Sequence, residues 1–136
     1  MLNKHSTHCP IAFGLNIFGD RWTLLILRDI LFQDKKYYNE FLHSEEEIST
    51  NILADRLEQL EAQRILKKSP DPLNRKRFTY APTTKGLDLI PVILAIVRWS
   101  GKHDPETAAP RPFLRKLEKP ANAIERDIRR KFSLRT

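Results

Sequence analysis

A mainly α fold carrying one small β-hairpin wing is predicted by three stretches that follow one another between residues 37 and 86. The first, Tyr37-Tyr38-Asn39-Glu40-Phe41-Leu42, reads as a short amphipathic helix. The second starts at Ser49, a residue type suited to capping a helix N-terminus, and places Leu53, Leu57 and Leu60 on one apolar stripe. The third is a pair of short strands, Ile65-Leu66-Lys67-Lys68 and Arg77-Phe78-Thr79-Tyr80, separated by the turn formers Ser69-Pro70-Asp71-Pro72-Leu73-Asn74. Two helices followed by a basic hairpin make a winged helix-turn-helix, whose second helix enters a DNA major groove while the hairpin reaches phosphates beside it.

Within the second helix, the 100° step per residue puts Asn51, Asp55, Glu58 and Gln59 opposite the leucine stripe, with Thr50 and Arg56 at the edges. One side packs and the other is open to a partner. The candidate DNA-contacting residues are therefore Thr50, Asn51 and Arg56 toward base edges and adjacent phosphates, with Arg75, Lys76 and Arg77 clamping the backbone or entering the minor groove. Ser49 caps the helix and has a hydroxyl that can reach a phosphate. The competing reading of the basic residues is an ordinary solvated hairpin.

Ahead of this unit, Met1-Leu2-Asn3-Lys4-His5 is polar and does not read as a signal peptide, and no apolar run nears the roughly 18 residues of a membrane span. A cytoplasmic protein without membrane contact is expected, and the single Cys9 excludes an internal disulfide framework. Cys9-Pro10-Ile11 looks like a helix start, because proline is favoured at the first helical position. Cys9 would then sit by the positive end of the helix dipole, near Lys4, His5 and His8. Two readings stand: a reactive, redox-sensing thiol, or a small buried packing residue. Metal binding by His5-x-x-His8-Cys9 is weaker than either, because no second cluster accompanies it, and no metal or cofactor is expected.

Ile11, Leu15 and Phe18 form a helical stripe, and Asp20 can cap a following helix from Arg21 to Phe32 that is apolar on most sides. Gln33-Asp34-Lys35-Lys36 is a polar connection. Glu45-Glu46-Glu47 forms the turn between the paired helices, and its acids must point away from DNA phosphates. After Thr83-Thr84-Lys85-Gly86, a helix from Leu87 to Trp99 contains Pro91 in its first turns and is closed by Gly101. Its excess of apolar surface predicts either deep burial or a partner chain, with a two-fold dimer the default.

The charge balance divides the chain. Residues 111–136 hold nine Lys or Arg against three acids, leaving fifteen against fourteen for residues 1–110. Residues 1–102 are thus read as a winged-helix DNA-binding and dimerisation domain, and residues 103–136 as a basic, Pro-interrupted C-terminal extension. In that extension Phe113 to Leu117 makes a helical turn, and Ile124, Ile128 and Phe132 line an amphipathic helix. It can pack on the body, on a partner subunit or on DNA. No Gly-rich phosphate loop and no acid, base and nucleophile pattern is present, so an enzyme is not expected. The alternative to a DNA reader is a winged-helix protein-interaction module with a basic nucleic-acid-binding tail.

From Cys9-Pro10-Ile11 and Phe18-Gly19-Asp20-Arg21-Trp22 onward, the chain resembles the HxlR family of bacterial transcription regulators, relatives of the MarR group. The likeness continues through Leu25 to Leu31, Tyr38-Asn39-Glu40-Phe41, Ile48-Ser49, Arg56-Leu57, Leu60-Glu61, Tyr80-x-Pro82-Thr83-x-Lys85-Gly86 and Leu89-x-Pro91-Val92 to Trp99. The resemblance implies a winged-helix fold, a homodimer built by N- and C-terminal helices and a palindromic operator on double-stranded DNA; a repressor is the expected role, with an activator the alternative. Some members answer oxidants or electrophiles through a cysteine matched here by Cys9, so an oxidant or small-molecule effector is implied as well. The chain departs from the family in three places. Arg64 stands where a glycine usually follows the recognition helix, so a left-handed cap there would cost about 1 kcal/mol or be avoided by a different turn. Glu45-Glu46-Glu47 lacks the usual glycine or proline. Residues beyond 101 lie outside the pattern.

Overall fold

The computed structural model describes residues 7–120 and 122–133. Lys4 and His5, expected near Cys9, lie outside the described residues. The elements are α1 (Pro10–Phe18), α2 (Thr23–Phe32), α3 (Tyr38–Leu42), α4 (Thr50–Ala62), β1 (Leu66–Pro70), β2 (Phe78–Pro82), α5 (Thr84–Leu87), α6 (Ile90–His103), α7 (Arg111–Leu117) and α8 (Ile124–Ser133). The mainly α architecture with one antiparallel hairpin agrees with the sequence-based expectation.

The core is built where the leucine stripes meet. Leu27, Ile30 and Leu31 of α2, Phe41 of α3, Leu53, Leu57 and Leu60 of α4, Ile65 and Leu66 at the hairpin start and Ile90 of α6 are buried together. Fully burying an aliphatic side chain of this size is worth about 1.5–3 kcal/mol, so this cluster fixes how the helices stack. Phe41 meets Tyr80 of β2 edge to face at 6.1 Å, joining the helical layer to the wing.

Several boundaries differ from expectation for local physical reasons. Regular helix in α2 begins at Thr23 instead of Arg21. Asp20 does the capping, but its carboxylate accepts from the N–H groups of both Trp22 (2.9 Å) and Thr23 (3.0 Å), which holds residues 21 and 22 in a turn. β1 extends through Ser69 and Pro70, two residues placed in the turn by sequence, and β2 continues to Pro82. Pro70 is tolerated because it pairs with Phe78 at the last position of the ladder, where a missing N–H costs little. Tyr37 forms an isolated antiparallel bridge to Thr79, and the Tyr80 N–H donates to the Lys36 carbonyl at 2.9 Å. The chain entering α3 is therefore pinned to the edge of the two-stranded hairpin at a single bridge.

The expected continuous helix from residue 87 is broken into α5 and α6, with Pro91 accommodated in the first turn of α6. Gly86 is buried in α5, and a Cβ there would lie 2.3 Å from the Ile65 carbonyl oxygen, so only glycine lets this turn seat against the hairpin start. Gly101 does not close α6, which runs on to His103. It is instead a contact point, since a Cβ at this position would lie 2.5 Å from Leu114 Cδ2 of α7.

The C-terminal extension folds back on the body. Leu117, Ile124 and Phe132 join the buried cluster. Lys131 Nζ donates to the Leu31 carbonyl at the end of α2 (3.0 Å) and pairs with Asp34, while Arg129 bridges Asp88 and Glu125, each at 2.8 Å. Two apolar faces stay uncovered in the single chain. Ile11, Phe13 and Leu15 of α1, which has no buried residue, and Ile96 and Trp99 of α6 are exposed. No helix of the described residues is long and apolar enough to cross a membrane.

Candidate nucleic-acid interface

The sequence-predicted residues fall on the exposed end of α4 and on the wing tip, both of which adjoin the start of α3. Ser49 has extended backbone, and its hydroxyl accepts from the Ile52 N–H at 3.2 Å, satisfying one of the otherwise unpaired donors of the first turn. Thr50 and Asn51 follow on the open side and are exposed, while Leu53, Leu57 and Leu60 point into the core. The Tyr38 hydroxyl donates to the Thr50 carbonyl at 3.3 Å, so the first turn of α4 is tied to α3. Tyr38 also lines one concavity with Tyr37, Lys76, Arg77 and Phe78. The end of α4 and the wing thus share a neighbour.

Arg56 is not free in this structure. Its Nε lies 2.8 Å from Asp20 Oδ2 and its Nη1 lies 2.5 Å from Asp55 Oδ2. The hydrogen bond to Asp20 holds the guanidinium above its ordinary pKa. Burial would push the Asp20 carboxyl up, but hydrogen bonds from the Thr23 hydroxyl, Arg56 and the Trp22 and Thr23 N–H groups outweigh it, leaving the group below the usual carboxylate range. The pair joins the turn between α1 and α2 to the middle of α4, a link between residues 36 apart in sequence.

The acidic turn is held by the body. Arg28 grips Glu46 with two parallel hydrogen bonds of 2.8 Å and reaches buried Asp29 with Nε at 3.0 Å and Nη2 at 2.8 Å. Ser44 donates to Asp29, and Lys35 Nζ donates to Ser44 Oγ at 2.9 Å. The Arg28 hydrogen bonds hold Glu46 down to about 2. Glu46 is thereby turned to α2. Glu47 takes a left-handed backbone with φ of 59°, the conformation a glycine would adopt without strain.

Arg64 also adopts the left-handed conformation, with φ of 60°. The Arg64 N–H donates to the Glu61 carbonyl at 3.0 Å and the Ile65 N–H to the Leu60 carbonyl at 2.9 Å, the two bonds of a Schellman cap. Lys85 Nζ donates to the Gln63 carbonyl at 2.8 Å, taking up a further carbonyl at this end of the helix. A helix stop that normally uses glycine is kept here with arginine.

On the wing, Arg75 and Lys76 are exposed at the tip and have no ion pair among the described residues. Arg77 lies over the Tyr37 ring, 3.6 Å from its centroid, and Lys68 lies over Phe78 at 4.4 Å. Asp71, taken for a turn former, is buried, and its Oδ2 accepts from the Tyr37 hydroxyl at 3.0 Å. That bond is the main cause of the raised Tyr37 pKa, so the phenol stays protonated and donating. Sequence reasoning missed Tyr37, Asp71, Arg28 and Glu46 as parts of this surface. A Pro-Asp-Pro triplet looks like a turn, and nothing local pairs it with a tyrosine 34 residues away.

Cys9 is exposed in the single chain at the cap position of α1, and its carbonyl accepts from the Phe13 N–H at 2.9 Å. Among the described residues no group of three or more His, Cys, Asp or Glu is placed to hold a metal ion.

Comparison with known proteins places the fold. The profile of a family described as HxlR-like helix-turn-helix matches residues 17–108. Among curated proteins, an uncharacterised HTH-type transcriptional regulator of Synechocystis, sll1512, is 31% identical over 88 residues, covering 65% of this chain and 64% of its own length. The chain therefore spans just under two thirds of that relative. The HTH-type transcriptional regulator YodB of Bacillus subtilis is 29% identical over 96 residues, covering 70% of this chain and 85% of its own. Among solved structures, PA1607 superimposes with a TM-score of 0.69 at 31% identity, covering 78% of this chain and 74% of that one. The redox regulator HypR in its oxidised form superimposes at 0.61 with 26% identity, covering 69% and 96%, and quinone-bound YodB at 0.55 with 26% identity, covering 68% and 96%.

Proposed function

Since the chain belongs to the HxlR-like helix-turn-helix family of transcriptional regulators, we propose that it acts as a homodimeric repressor reading a palindromic operator, with Cys9 as its oxidant- or electrophile-responsive group. The observation that carries the DNA-reading part is the open first turn of α4, with Thr50 and Asn51 exposed beside α3, and a wing presenting Arg75 and Lys76 on the other side of α3. Thr50 and Asn51 face base edges. Ser49 caps and touches a phosphate. Arg75, Lys76 and Arg77 address the backbone or minor groove. Arg56, with Nε and Nη1 engaged by Asp20 and Asp55, has Nη2 left for a neighbouring phosphate.

Dimerisation is supported by the uncovered apolar faces of α1 and α6, which a second copy would bury. The sensing role is supported by the exposure of Cys9 on α1 and by the likeness to HypR, described as a redox regulator, and to quinone-bound YodB. With one cysteine per chain, oxidation leads to an intersubunit disulfide, a mixed disulfide with a small thiol, or an oxyacid. Cytoplasmic residence belongs to the same proposal.

The test is selection of bound sequences from a random duplex library of about 30 base pairs by the purified reduced protein near physiological salt. Enrichment of an inverted repeat with half-site centres about one helical turn apart is the expected result. On that operator, Asn51→Ala should weaken specific binding far more than binding to random DNA. Lys76→Ala should weaken both and lower the salt slope by about 1. Cys9→Ser should abolish release by oxidant while leaving reduced binding intact. No enrichment, with binding that vanishes as salt rises, would bring forward the interaction-module reading.

A further inference from the structure

We propose that Tyr37 and Asp71 are positioning residues that lock the wing tip onto the start of α3 and so hold Arg75 and Lys76 in a set relation to the open end of α4. The inference rests on the DNA-reading function proposed above.

The wing tip, residues 71–77, has little core of its own. Pro72, Leu73, Asn74, Arg75, Lys76 and Arg77 are all exposed, Leu73 to 92%. Asp71 alone among them is buried, and a buried carboxylate is costly unless bonded. Its Oδ1 accepts from the Leu73 N–H at 3.1 Å and its Oδ2 from the Tyr37 hydroxyl at 3.0 Å. The base of the tip is closed by the Asp71 N–H, which donates to the Arg77 carbonyl at 2.9 Å, and by the Arg77 N–H, which donates to the Asn74 carbonyl at 2.9 Å. Tyr37 holds the tip twice, through its hydroxyl on Asp71 and through its ring face under the Arg77 guanidinium.

Tyr37 is itself fixed. It forms an isolated bridge to Thr79 of β2, and its N–H donates to Glu40 Oε1 at 3.0 Å. Its neighbour Tyr38 bonds the first turn of α4. A continuous set of contacts thus runs from the wing tip through Tyr37 and Tyr38 to the helix end carrying Thr50 and Asn51. A loop already ordered this way loses less entropy on meeting a DNA backbone than a free one, so the lock acts by preorganisation. On this account Arg77 serves the lock as well as the DNA backbone, and Arg75 and Lys76 at the tip owe their placement to it.

The deciding variant is Tyr37→Phe, which keeps the ring under Arg77 and removes one hydroxyl at a half-buried site. In the full chain without DNA, amide exchange at Leu73, Asn74 and Arg77 should quicken by about tenfold, the scale of one hydrogen bond to a charged group, while α2 and α4 amides stay unchanged. On the operator selected by the wild type, Tyr37→Phe should weaken binding by roughly three- to tenfold, and Lys76→Ala should cost less in the Tyr37→Phe background than in the wild type. Asp71→Asn, which retains an acceptor for Leu73 and an amide able to bond the phenol oxygen, should stay within about threefold of wild type. Unchanged exchange in Tyr37→Phe would overturn the lock. Faster exchange with strictly additive losses from the two substitutions would overturn its positioning role. If the wild type selects no operator, the DNA-reading proposal fails, and the exchange experiment still decides whether the lock exists.

Discussion

Arg64→Gly is expected to stabilise this protein although it removes a side chain and adds none. Arg64 sits just beyond the last turn of α4 with φ of 60°, where a Cβ crowds the backbone at a cost of about 1–2 kcal/mol. Glycine removes that cost but brings greater freedom to the unfolded chain, which takes back about 0.4–1 kcal/mol. The net expectation is a gain of roughly 0.5–1 kcal/mol, or about 2–4 °C in melting temperature for a chain of this size. The Schellman bonds from residues 64 and 65 are backbone bonds and survive the change, as does the burial of Leu60 and Ile65. Arg64→Ala separates backbone from side chain, because alanine keeps the crowded conformation, and its stability should stay near the wild type. Thermal melts and urea titrations at matched protein concentration measure both variants. A neutral or destabilised glycine variant would refute the strain argument, as would an alanine variant stabilised to the same extent.

Two further outcomes follow from packing and charge. Glu46 is held down to about 2 by Arg28, against an ordinary value of 4.5, so its contribution is present above pH 4.5 and is lost as pH falls from 4.5 toward 2. With the side chain one quarter exposed, that contribution is about 1–2 kcal/mol, and Glu46→Gln should flatten the acid limb of the stability profile by this amount in urea titrations at stepped pH. Gly101→Val should cost about 1–3 kcal/mol in the same assay, because even its Cβ would lie within 3 Å of both Leu114 methyl groups and push α7 from α6; an unchanged midpoint would show that α7 moves aside without penalty.

The elements of this fold that depend on neighbours in sequence are legible in the sequence itself. Ser49 caps α4 because the cap bond spans three residues, and the Leu53, Leu57 and Leu60 stripe buries one face because the helical period is fixed by backbone geometry. The hairpin is likewise announced by its cluster of turn formers, whereas the helix stop at Arg64 is suggested only by the family resemblance, and its left-handed backbone is seen only in the structure. The contacts that shape the candidate interface belong to another class. Tyr37 meets Asp71 across 34 residues, Arg56 meets Asp20 across 36, and Lys131 reaches Leu31 across 100. Arg56 reads as a cation at the edge of the open face on a helical wheel, and a carboxylate from the turn between α1 and α2 claims it once the helices stack. The basic tail reads as an amphipathic helix with three possible seats, the body, a partner subunit or DNA, and the first is taken because Ile124 and Phe132 bury apolar surface there and Lys131 finds an open carbonyl at the end of α2. Local propensity decides where helices and turns form. Which charges remain available to a partner is decided only when burial of the shared core brings distant residues within bonding distance.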